Sequence, residues 1–217
     1  VALGVQQLQV QVGREPGQAD VHVGGLAQGE REDVPVRGGG DLAARMLSLY
    51  KPPPYLAACS QGVWARDPSP LLVRNYDYAP SRFEGVVWST QLRKRVIGMS
   101  DCLWGLLDGM NEDGLGVSLT FGGRRVLGDG FGIPIVMRYL LETCSTVEET
   151  RAVLMRLPCS LSHNLTVLDA TGEVVTAYLS PDREPIFRSF PVATNHQGIV
   201  EWPEQENYEV IRPLVLF

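Results

Sequence analysis

The chain lacks the patterns that announce most specialised protein classes. Its 217 residues hold four cysteines, Cys59, Cys102, Cys144 and Cys159, with no CxxC pair among them. Thiols this scattered do not build a disulfide framework. Cys144, Cys159 and His163 match no common zinc spacing, so neither a metal nor another cofactor is expected. No run approaches the ~18 apolar residues of a membrane-spanning helix. The start shows no basic patch leading into an apolar core, so no signal peptide and no membrane partner are expected. Basic residues are outnumbered, 19 against 25 acidic, for a net charge of −6. Without a basic stripe, nucleic acid is not expected as a partner, and Arg93-Lys94-Arg95 reads as a solvated turn. A reduced, cytoplasmic setting is the expectation, with association of identical chains left open.

Large apolar side chains are also scarce over the first fifty residues, which are rich in glycine, glutamine and charge. Such a stretch buries little, and residues 1–58 read as a loose N-terminal segment. Asp41 caps a short predicted helix that stops before Pro52-Pro53-Pro54. The globular part is residues 59–217. Runs over 59–65 and 71–78, separated by an Asp-Pro-Ser-Pro turn, predict a hairpin. Runs over 104–110 and 115–121 flank Asn111-Glu112-Asp113-Gly114 and predict another, because Asp-Gly between apolar runs is a strong turn signal. Asn111 reads as a turn residue. Pro134 opens a predicted helix, and Thr146 with Glu149 begins a second with a capping-box pattern. Strands return over 165–169 and 174–179, and a last one over 186–194. Hairpins, a helix pair and more hairpins predict an α+β fold of antiparallel sheets with helices outside.

Chemistry concentrates on Cys59. Arg74 follows it by 15 positions, so the first hairpin brings a thiol, a guanidinium and the Asp77 carboxylate toward one end of a sheet. A fixed cation favours the thiolate, the form that attacks carbonyls. The other three cysteines read as small buried hydrophobes. Two further readings stay open on residues alone: a Cys-His hydrolase using His196 or His163 with an internal Cys59, and a non-catalytic binding protein.

Arg74-Asn75-Tyr76-Asp77-Tyr78 after a strand-opening cysteine, the MNEDGLGVSLTF stretch from Met110 to Phe121, and Val192-Ala193-Thr194-Asn195-His196-Gln197 occur in that order. Together they resemble the choloylglycine hydrolase and penicillin acyltransferase group of N-terminal nucleophile hydrolases. The resemblance implies a four-layer αββα sandwich and a small-molecule amide or acyl substrate. It also implies removal of the preceding 58 residues by self-cleavage, after which the Cys59 α-amine is the general base. Arg74 would then hold the thiolate, Asp77 the α-amine, and Asn195 the oxyanion. Asn75 and Thr120 are candidates for substrate binding or oxyanion contact. Near where the bile-acid branch has an asparagine, this chain has Thr120, so that donor is missing or replaced by a hydroxyl, which weakens a specific claim for bile-salt hydrolysis. The family's chains continue beyond Phe217, so the domain is expected to be incomplete at its C-terminus.

Overall fold

The computed structural model describes residues 44, 47–50, 58–64, 70–77 and 84–198. Most of the expected loose segment, and everything after residue 198, lies outside the described residues. Among those described, ten strands and two helices form an α+β fold. Strands β1 (Ala58–Trp64), β2 (Leu71–Asp77) and β10 (Val192–Ala193) make a small sheet in the order β10-β1-β2. A seven-stranded sheet takes β3 (Val87–Gln91), β4 (Arg95–Asp101), β5 (Gly105–Asn111), β6 (Gly116–Phe121), β7 (His163–Leu168), β8 (Val174–Ser180) and β9 (Arg183–Arg188) in sequence order. Every pairing is antiparallel.

Helices α1 (Ile133–Thr143) and α2 (Val147–Leu154) cover one face of the large sheet, and the small sheet packs on the other through β6 and β7. Helices, large sheet and small sheet are three layers of the expected four-layer αββα sandwich. Leu140, Leu141, Met137 and Val136 of α1 meet Leu106, Leu107, Val117 and Leu165 of the sheet in one buried core. Gly105 lets the helix come this close: a Cβ there would lie 2.4 Å from the Pro134 Cβ.

Local signals explain most element ends. Pro134 sits in the first turn of α1, where its missing N–H costs nothing. Thr146 caps α2 by accepting from the Glu149 N–H. The Asn111 side chain goes further than a turn residue needs to. Its Nδ2 donates to the Leu141 and Cys144 carbonyls at 2.9 and 2.7 Å, closing the end of α1. Its Oδ1 accepts from the Asp113 and Leu115 N–H groups, holding the β5–β6 turn.

Three expectations change. The strands β3 and β4 carry no clear alternation and are missed by sequence reading. The single strand expected over 186–194 is two: β9 belongs to the large sheet and β10 to the small one. Pro191, with no N–H for a ladder, lies in the crossing, and its carbonyl accepts from Val63 N–H at 2.7 Å. The Arg93-Lys94 turn is not only solvated. Its two backbone N–H groups donate to the buried Glu142 carboxylate of α1, which also pairs with Arg138 at 3.1 Å.

Replacing Asn111 by Ala strands several buried partners at once. The expected cost is about 2–4 kcal/mol of unfolding free energy, read from the urea midpoint. A loss under about 0.5 kcal/mol would show that the turn and helix end hold without it.

Candidate active site

The β1–β2 register pairs Cys59 with Tyr76 and Gln61 with Arg74. Because side chains alternate along a strand, these four share the face turned to the large sheet. Arg74 has a side chain only 4% exposed, and every direction of its fork is used. Nε donates to the Leu119 carbonyl at 2.8 Å, Nη1 to Asp108 Oδ2 at 3.2 Å, and Nη2 to the Cys59 Sγ at 3.4 Å. The guanidinium carbon lies 4.4 Å over the Tyr76 ring.

Asn195 arrives from the far end of the chain. Its Oδ1 accepts from the Cys59 backbone N–H at 2.7 Å, across 136 residues of sequence, and its Nδ2 donates to the Phe121 carbonyl at 3.1 Å. Two amides, Asn164 buried and Gln197 half-buried, hold the surrounding segment. Asn164 Nδ2 donates to the Thr194 and His196 carbonyls, and Gln197 Nε2 to the His163 and Leu179 carbonyls and Asn164 Oδ1. Gly123 has φ +74°, and a Cβ there would fall 2.2 Å from the Asn195 carbonyl oxygen. Asn164 itself is a fully buried residue of β7.

Electrostatics at the thiol run against the sequence expectation. Burial pushes the Cys59 pKa above its ordinary value; Arg74 and the Phe121 backbone pull it down, without offsetting the loss of water. The thiols of Cys102, Cys144 and Cys159 are also raised, chiefly by burial.

The other expected residues take different positions. Asp77 is registered opposite Ala58, across the Ala58–Cys59 bond, and its carboxylate accepts from Asn75 Nδ2 at 2.6 Å. Asn75 is exposed and lies on the face of β2 opposite Arg74. Thr120 Oγ1 donates to the Thr194 carbonyl at 3.0 Å, so its proton is spent on holding the Asn195 segment. Neither His163 nor His196 is hydrogen-bonded to the Cys59 thiol, leaving the Cys-His reading without its base. His163 is buried beside Phe121, which holds it neutral down to about 3. Among the described residues no cluster could hold a metal ion.

Sequence reasoning missed two features. One is Asp108, which nothing in its surrounding run marks. The other is an open apolar face beside it. Gly98 and Gly109 pair with each other, and Gly109 faces Leu141 of α1, so Ile97, Met99, Asp108 and Met110 point to the opposite side. Ile97, Met110 and the neighbouring Val87 are about half exposed or more. Trp64 is exposed on the small sheet, and Trp104 Nε1 donates to the Leu47 carbonyl.

Residues 64–213, more than half of the chain, match the family described as acyl-coenzyme A:6-aminopenicillanic acid acyl-transferase. The chain belongs to that family. The acyl-transferase match takes in Arg74, Asp77, Asp108 and Asn195, and begins just after Cys59. Among solved structures, the chain is similar to a variant of the conjugated bile acid hydrolase from Clostridium perfringens, at 18% identity and a TM-score of 0.49, over 73% of this chain and 57% of that one. It is also similar to penicillin V acylase from Agrobacterium tumefaciens, at 19% identity and a TM-score of 0.41, over 64% of this chain and 44% of that one. The chain thus spans about half the length of these two structures. No curated protein sequence matches it.

The buried histidine gives a pH test. An unfolded histidine takes up a proton near pH 6.5, whereas His163 stays neutral to about 3. The unfolded state binds the extra proton in that window, so stability falls as pH drops from 6.5 toward 3. Denaturation midpoints of His163→Phe are expected to lose part of that acid slope, and an unchanged slope would assign it to other groups.

Proposed function

We propose that the chain is a cysteine-nucleophile amidohydrolase or acyltransferase acting on linear, non-peptide C–N amide bonds. One observation carries the reading: Asn195 grips the Cys59 nitrogen at 2.7 Å while Arg74 Nη2 lies 3.4 Å from the same residue's sulfur. A buried structural cysteine needs an acceptor for its N–H, but not a side chain brought from 136 residues away, nor a cation at its sulfur. Both are useful if that nitrogen becomes an α-amine and that sulfur a nucleophile.

Self-cleavage begins from the uncut chain. The Cys59 sulfur gives up its proton and adds to the Ala58 carbonyl carbon. The Ala58–Cys59 C–N bond then breaks as the nitrogen gains a proton, leaving a thioester. Water cleaves the thioester, releasing the Ala58 carboxylate and a free α-amine on Cys59. That amine, with an ordinary pKa of about 7.7–8.0, can take the thiol proton near neutral pH. It therefore answers the raised thiol pKa, which leaves the uncut chain short of thiolate.

Turnover repeats the same chemistry on a substrate. The thiolate adds to the amide carbonyl, the amine leaves with a proton, and water or a second amine resolves the acyl-enzyme. Arg74 stabilises the thiolate, and Asp77, beside the cut, is placed to hold the new ammonium. Asn195 serves the oxyanion once its Nδ2 releases the Phe121 carbonyl. The apolar face of Val87, Ile97, Met99 and Met110 accepts the acyl group. Thr120 supports the Asn195 segment rather than the oxyanion. The free cysteines suit a reducing, cytoplasmic setting.

Intact-mass spectrometry of the purified protein tests the reading. The expected result is loss of residues 1–58 from the parent, with Cys59→Ala remaining full length and inactive toward a panel of N-acyl amides. Asn195→Ala is expected to slow turnover about 10²–10³-fold, the usual effect of a lost oxyanion donor. A full-length parent whose Cys59 resists acylating probes would overturn the mechanism.

A further inference from the structure

We propose that Asp108 is a positioning residue that aims the Arg74 guanidinium at the Cys59 thiol. The proposal rests on reading Cys59 as the nucleophile, but its geometry is independent of any substrate.

A guanidinium is a rigid planar fork, and one fixed point leaves it free to swing. Nε is held by the Leu119 carbonyl at 2.8 Å on β6. Asp108 Oδ2, on β5, is the second fixed point, 3.2 Å from Nη1. Two anchors on neighbouring strands define the plane, and the remaining nitrogen, Nη2, then falls 3.4 Å from the sulfur. Tyr76 lies under the plane at 4.4 Å and resists tilting. Asp108 itself does not hydrogen-bond the sulfur.

Nothing else about Asp108 accounts for a carboxylate at this position. Its cross-strand partners are Met99 on β4 and Ser118 on β6, whose hydroxyl is engaged with Gln61, and Met110 follows two residues on along the same face. Its side chain is 27% exposed while Arg74 is at 4%, so the pair sits where the open apolar face meets the covered thiol. A part-buried acid at the edge of an apolar face is costly unless its charge is used.

The test measures alkylation of Cys59 by iodoacetamide between pH 6 and 10, resolved by mass spectrometry of the Cys59 peptide. Arg74→Ala is expected to slow labelling at pH 7.5 about tenfold, the equivalent of one unit of thiol pKa. Asp108→Ala should slow it to a similar extent, and the double variant should be no slower than Arg74→Ala alone. Asp108→Asn keeps an acceptor for Nη1 and should stay within about threefold of the parent. The proposal fails if Asp108→Ala labels within twofold of the parent, or faster. It also fails if the two losses multiply, or if Asp108→Asn falls as far as Asp108→Ala. Should Asp108→Ala lose its melting transition, Asp108→Leu, similar in size and flanked by methionines, takes its place with the same expected outcomes. Labelling reads the fork and the thiol whether or not the chain hydrolyses an amide. Failure of this coupling and failure of the amidase reading are therefore separate results.

Discussion

A charged guanidinium buried between two sheets is the constraint on which the site depends. Removing a cation from water is tolerable only when its donors are satisfied and its charge is opposed. Arg74 meets that demand with a β6 carbonyl, a β5 carboxylate and the β1 thiol, over an aromatic ring of its own strand. Those contacts fix the small sheet on the large one at the point where Cys59 sits. The same cation thus locks the layers together and supplies field to the sulfur.

At the thiol, two effects of packing oppose each other. Exclusion of water raises the pKa, and the charge and N–H groups brought close by that exclusion lower it. Burial wins in the uncut chain, as expected for a residue with no exposed surface. A single arginine does not make this sulfur a ready thiolate. In the proposed mechanism the missing proton acceptor is created by cutting the chain, which turns an amide N–H already held by Asn195 into an amine.

Much of the fold was legible because its signals are local. Asp113-Gly114 between apolar runs marks a hairpin, Pro134 and Thr146 mark helix starts, and Arg74 follows Cys59 at hairpin spacing. The misses have a common cause. β3 and β4 lack alternation, since Gly98 and Ser100 occupy positions where large apolar residues would have shown the pattern. The break between β9 and β10 reflects a crossing between sheets, which no run of residues encodes. Asp108 and Thr120 take their partners from segments distant in sequence, so their surrounding motifs are silent about them.

The sequence by itself determined the hairpins, the helix starts, the family and a cysteine with an arginine on the neighbouring strand. These follow from short-range spacing and from motifs whose order survives in one dimension. Only the tertiary structure decided that the thiol pKa is raised, that Asp108 completes the arginine's anchoring, and that Asn195 reaches the Cys59 nitrogen. Burial, and contacts across as many as 136 residues, arise when sheets stack, and local sequence does not record them.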